Sequence, residues 1–151
     1  MDDLDPIIIQ VTVPLPLAMI HSAFTDPSHL SGWLCTTAEV DARIGGIYRL
    51  SFTDDPPFTS DGVITHLTPE LDVGFTWQGP PPFGEIMNLP SPRTSVYVRL
   101  QESPEGIDIT LEHSGWGPAE SEWEDARSWH FHRWDERLHG LREYLLKVAY
   151  G

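Results

Sequence analysis

Residues 119–150 read AESEWEDARSWHFHRWDERLHGLREYLLKVAY, and no proline interrupts them. Trp123, Arg127, His130, Trp134, Leu138, Leu141, Leu145 and Val148 recur at steps of three and four, the inward stripe of an amphipathic helix. Pro118 or Ser121 suits its start. Glu120, Glu122, Glu124 and Asp125 crowd the first turns, where the helix dipole favours acids. At ~1.5 Å per residue the helix spans ~45 Å, longer than a surface helix of so small a domain needs. Its C-terminal half carries a purely apolar stripe, whereas its N-terminal half sets Arg127 and His130 among Trp123 and Trp134. That contrast predicts tight packing at one end and a cavity at the other, with the rest of the chain as the wall.

The wall reads as strands. Ile7 to Val13 is short, apolar and β-branched, bounded by Pro6 and Pro14. Two short helices follow, one from about Pro16 to Phe24 and one capped by Asp26 with Pro27 in its first turn, running to Trp33. The period then changes to two. Strands are expected over Thr36–Arg43, Ile47–Thr53, Thr59–Leu67, Leu71–Gln78, Thr94–Gln101 and from Ile107 to about Ser114. Gly45-Gly46, Asp54–Pro57, Pro69-Glu70 and Pro104–Gly106 supply turns. Tyr48, Leu50 and Phe52 are expected inside, as are Ile107, Ile109, Leu111 and His113, and Tyr97 outside. Connections this tight predict an antiparallel sheet of about six to seven strands, covered on one face. Residues 79–93, with Pro80, Pro81, Pro82, Pro90 and Pro92, are too long for a hairpin turn. They read either as a loose insertion capping one end of the sheet or as a lid, with Phe83 and Met87 over an opening.

Composition narrows the function classes. A chain of 151 residues with 40% hydrophobic content and six tryptophans is one folded domain. Its net charge of -14 argues against nucleic acid and anionic membrane surfaces, both of which need basic patches. No stretch has the ~18 consecutive apolar residues of a membrane span, and the acidic N-terminus lacks the apolar run of a signal peptide. A cytoplasmic location is expected. Cys35 is the sole cysteine, so no internal disulfide or cysteine metal cluster is available, and its surroundings supply no base to activate it. Among the seven histidines no pair has metal-ligand spacing, and no metal or cofactor is expected. Nor is there a nucleophile elbow, a phosphate loop or a paired-glutamate motif to mark catalytic residues.

Several segments, in order, resemble one superfamily. Ala23-Phe24-Thr25-Asp26-Pro27 with His29-Leu30 and Trp33 is similar to the opening helices of the SRPBCC proteins, the START-like or birch-pollen-allergen-like helix-grip group. Glu39 to Tyr48, Gly62-Val63-Ile64, Phe75-Thr76-Trp77 and Thr110 to Gly115 resemble its AHSA-type branch, typified by the C-terminal domain of the heat-shock-chaperone ATPase activator. Trp134, Leu138, Leu141, Tyr144 and Leu145 are similar to its terminal helix. The chain departs from that pattern at Arg133, where the group usually has glycine, and in the prolines of residues 79–93. The resemblance implies an α+β helix-grip fold: a curved antiparallel sheet wrapped around the long C-terminal helix, with two short helices after the first strand and a cavity between sheet and helix.

Three functions compete. The first is the binding of a small hydrophobic or amphipathic molecule in a mostly apolar pocket lined by Trp77, His113, His130 and Trp134, with Arg127 near the mouth for an acid group. For His113 a structural role and a ligand contact are both open; for Arg127 the alternative is a salt bridge at the rim. Trp129, off the inner stripe, is expected to matter less than Trp134. The second is a chaperone-partner domain, as the group's name suggests. The third is a cyclase-, aromatase- or hydrolase-like enzyme, which needs a polar pair such as Arg127 and His113 to meet across the cavity. Oligomeric state is not encoded legibly.

Overall fold

The computed structural model describes residues 2–151. Seven strands form one antiparallel sheet: β1 (Ile7–Val13), β2 (Thr37–Val40), β3 (Ile47–Phe52), β4 (Phe58–Thr68), β5 (Asp72–Trp77), β6 (Thr94–Ser103) and β7 (Gly106–Ser114). Their order is β1-β7-β6-β5-β4-β3-β2. Every pair but one is a hairpin of sequence neighbours. The exception, β1 on β7, brings Ile7 opposite His113 and Val13 opposite Ile107. β1 and β2 therefore lie at opposite edges, and the helices α1 (Leu17–Thr25) and α2 (Pro27–Trp33) carry the chain between them. Asp26 caps α2 by accepting from the Ser28 backbone N–H at 2.9 Å, and Pro27 occupies the position where a missing N–H costs nothing.

The period-two pattern sorts the faces as expected. Ile7, Ile9, Val11 and Val13 of β1, Tyr48, Leu50 and Phe52 of β3, Val96, Val98 and Leu100 of β6, and Ile107, Ile109, Leu111 and His113 of β7 are all buried. Tyr97, of the other parity, points its hydroxyl at Asp72 (2.8 Å). Against this concave face lies α4 (Ser121–Tyr150), a 30-residue helix whose buried residues are Trp123, Ala126, His130, Trp134, Leu138, Leu141 and Leu145. The architecture is the α+β helix-grip fold. No helix among the described residues is long and apolar enough to cross a membrane.

Four local features differ from the sequence reading. β2 ends at Val40, because residues 41–46 turn on themselves: Arg43 N–H donates to Asp41 O (2.8 Å) and Gly46 N–H to Arg43 O (2.9 Å). Gly45 takes φ +83° there. On α4, Ala126 and not Arg127 faces inward, and Val148 is half exposed. Residues 79–93 are an ordered cap rather than a loose insertion. A short 3₁₀ turn (Pro81–Phe83) leads into α3 (Gly84–Asn88), and the Asn88 side chain closes the segment by bonding both Gly79 N–H (2.8 Å) and Gly79 O (3.0 Å). Met87 is fully buried, which accounts for apolar residues in a proline-rich connection.

Candidate functional site

Trp77 ends β5, His113 is the penultimate residue of β7, and His130 and Trp134 lie one turn apart on α4, so sheet and helix bring four of the five expected residues together. The His113 and His130 rings are 5.3 Å apart, the Trp77 and Trp134 rings also 5.3 Å. An indole N–H can only donate, so the tautomers follow. Trp134 Nε1 donates to His113 Nδ1 (3.0 Å), leaving His113 Nε2–H to donate to Thr94 Oγ1 (2.9 Å). Trp77 Nε1 donates to His130 Nε2 (3.0 Å), and His130 Nδ1–H donates to Ala126 O (2.7 Å). Trp116 Nε1 donates to His113 O at 2.8 Å.

Both imidazoles are held neutral. Burial pushes His113 well below its usual range, and the neighbouring His130 adds to the effect. Burial likewise lowers His130 to about 4, against the opposing pull of the Ala126 carbonyl. Protonating either ring would also turn an indole's acceptor into a second donor. All four ring nitrogens are committed to protein partners, so the pair closes the core as a satisfied polar network. Strand parity placed His113 inside and helical spacing placed His130 inside, but neither gave a means of telling a ligand contact from mutual pairing.

Arg127 is not brought to this cluster. It lies on the β1 flank of α4, where its guanidinium donates to Asp5 O (2.7 Å) and Pro6 O (3.2 Å). Arg142 Nε donates to Thr12 O (3.2 Å) on the same flank. These two arginines occupy backbone acceptors along a free sheet edge, which blunts that edge against pairing with another chain.

The arginine at the cavity is Arg133, on the opposite flank. It pairs with both carboxylate oxygens of Asp54, in the β3–β4 hairpin, with Nη2 to Oδ1 at 2.9 Å. This holds the Asp54 carboxyl below the usual carboxylate range. The guanidinium carbon sits 5.2 Å from the Phe52 ring and 5.3 Å from the Trp129 ring, a cation–π geometry at both. Its Nε is buried without an acceptor among the described residues.

Beside Arg133 is a void of about 10 Å³, lined by Leu34, Phe52, Phe58, Trp77, Trp129, His130 and Trp134 as well. That is room for one water molecule. Outside it is a cleft of about 110 Å³ between the β3–β4 hairpin (Asp54, Asp55, Pro56, Phe58), the proline segment (Pro80, Pro82, Phe83) and Trp129. Phe58 and Trp129 belong to both walls, so these two rings, 6.1 Å apart, separate the void from the cleft. Arg133 borders the void, and Pro80 and Pro82 of the proline segment border the cleft. Phe58, Trp129 and Arg133 were missed because each lies beyond the expected strand or off the expected stripe. The one signal for Arg133 in the sequence was its departure from glycine. Cys35 is half-buried and donates weakly to Leu30 O (3.5 Å); burial pushes its thiol up to about 11, which leaves it an unreactive thiol.

Comparison with known proteins agrees with this architecture. The family described as activator of Hsp90 ATPase homolog 1-like protein matches residues 14–146. No curated protein matches the sequence. Among solved structures, protein MLL2253 of Mesorhizobium loti superposes with a TM-score of 0.77 at 19% identity, covering 94% of this chain and 97% of its own. The Aha1 dimer from Colwellia psychrerythraea gives 0.77 at 17% identity over 98% and 100%. CalU16 from Micromonospora echinospora gives 0.68 at 23% over 93% and 73%. At such identities the likeness extends to the fold.

Proposed function

The chain belongs to the activator of Hsp90 ATPase homolog 1-like family, and we propose that within it the protein binds a small hydrophobic or amphipathic molecule between sheet and α4. The observation that carries this reading is the paired void and cleft with Phe58 and Trp129 between them. On this reading the ligand enters by turning these two side chains aside. The inner seat is then Trp77, His130 and Trp134, held in orientation by His113 from behind. The polar contact at the mouth is Arg133 with Asp54, in place of the Arg127 that the helical stripe suggests.

Flat aromatics and medium-chain fatty acids are the probes to screen. At a concentration a hundred times Kd, a bound ligand contributes about 2.7 kcal/mol and raises Tm by about 5–10 °C. N-phenyl-1-naphthylamine, whose emission rises in an apolar seat, reports binding directly. Phe58→Ala removes one of the separating rings and should speed its association. Absence of any thermal shift across the screen, in both the wild type and Phe58→Ala, refutes the reading.

A second reading, a chaperone-partner domain, is favoured by how little of the interior is empty: a core that stays filled leaves its outer surface as the working part. Stimulation of the ATPase rate of a purified Hsp90 by this protein, unaffected by Phe58→Ala, would support it against the first.

A further inference from the structure

The outer cleft differs in character from the void behind it. Three aromatic rings line it, Phe58, Phe83 and Trp129, with Phe83 and Trp129 inclined at 59° and 6.3 Å apart. Asp54 and Asp55 stand on its rim. Ring faces carry negative potential and attract a cation within about 6 Å. Trp129 already does so inside the protein, since the Arg133 guanidinium lies 5.3 Å from its ring.

The rim carboxylates are not equivalent. Asp54 commits both oxygens to Arg133. Asp55 is exposed and makes no ion pair among the described residues. Arg137 also acts on Asp54, so Asp54 is fully offset and Asp55 is the carboxylate left uncompensated at the opening. The chain's net charge of -14 acts in the same direction at longer range, raising the local concentration of cations and repelling anions. An anionic ligand would meet Asp55 and that field, and would find both Nη atoms of Arg133 already committed to Asp54. The cleft's 110 Å³ suits a head group rather than a whole ligand, since sites for drug-sized molecules run to about 300 Å³ or more.

Resting on the binding reading above, we infer that the ligand is a cation. It is a small aromatic or aliphatic molecule bearing a protonated or quaternary amine. The ammonium sits in the cleft among Phe58, Phe83 and Trp129 beside Asp55, and the apolar body passes between the two separating rings toward Trp77 and Trp134. The sign of the charge is thus set by the rim, and Arg133 serves to hold Asp54 and the ring stack in place.

Calorimetric titration of the full chain at pH 7 with three probes of nearly equal shape tests this: 1-naphthylmethylammonium, 1-naphthylmethanol and 1-naphthoate. The ammonium is expected to bind about tenfold tighter than the alcohol, with the carboxylate weakest. Raising salt from about 0.05 to about 0.5 M should shrink the ammonium's advantage and leave the alcohol unchanged. Asp55→Asn, at an exposed loop position, should weaken the ammonium about threefold and leave the alcohol unchanged. If alcohol and ammonium bind equally, or the naphthoate binds tightest, the charge inference falls while the binding reading stands. An Asp55→Asn variant that keeps the whole ammonium preference overturns the cleft as the seat of the head group. If none of the three probes binds while the wider screen gives a hit, this inference alone is overturned; if the screen is also empty, the binding reading fails and this inference with it.

Discussion

Lowering the pH should unfold this protein through its two core histidines before its carboxylates titrate. His130 titrates near 6.5 when unfolded and at about 4 when folded, because burial opposes its charge. The unfolded chain therefore binds the proton first. The stabilisation is fully present above pH 6.5 and is lost as pH falls toward 4. At about 1.4 kcal/mol per pH unit across that window, His130 contributes about 3 kcal/mol in all, and about 2 kcal/mol is gone by pH 5. His113, shifted in the same direction by burial and by His130, adds a loss of the same sign. Against a total stability of about 5–15 kcal/mol for a domain, these losses are large. One opposing effect is present: the self-repulsion of a chain at -14 relaxes as carboxylates protonate. Carboxylates held low in the fold, such as Asp54 beside Arg133, lose stability only as pH falls into and below the usual carboxylate range, and so do not confuse the upper part of the window. The assay is urea unfolding followed by tryptophan emission from pH 7.5 to 5, in the wild type and in His130→Gln. Glutamine offers an acceptor for Trp77 Nε1 without titrating, so the variant is less stable at pH 7.5 but should have a shallower pH slope. A wild-type midpoint that is flat or rises on acidification, with the same slope in His130→Gln, would refute the neutral-imidazole core.

Other expectations concern the frame. Leu141→Ala, at a fully buried site on α4, should cost about 2–5 kcal/mol in urea melts, and a loss under about 0.5 kcal/mol would mean that this stripe does not face the sheet. In the turn before β3, Gly45→Ala should cost about 1 kcal/mol, since φ is +83° with open space around it. Gly46→Ala should cost more, because its Cβ would meet the Asp41 carbonyl oxygen; equal effects would refute that assignment. Arg127→Ala should speed amide exchange at the start of β1 and leave the affinity for N-phenyl-1-naphthylamine unchanged, whereas Trp129→Ala should alter that affinity.

The fold was legible in the sequence because its signals are local. Alternation in Ile47–Phe52 fixes which face Tyr48, Leu50 and Phe52 occupy, and Asp26-Pro27 starts a helix wherever it stands. Steps of three and four marked α4 and put His130, Trp134, Leu138, Leu141 and Leu145 inside. The same rule could not choose between Ala126 and Arg127, because both lie within three or four residues of Trp123 and of His130. One step along a helix turns a side chain by about 100°, which here separates the core from the β1 edge. Only the tertiary structure decided that choice. It also decided that His113 and His130 would use their nitrogens on Trp134, Thr94, Trp77 and Ala126. Arg133 finds Asp54 across 79 residues of chain, and Trp129 stands between void and cleft because the hairpin and the proline segment meet there. Hydrophobic period is a property of neighbours along the chain and so can be read from it. The pairing of buried polar groups depends on which distant segments the sheet brings opposite one another, and that is settled only when the chain has closed around α4.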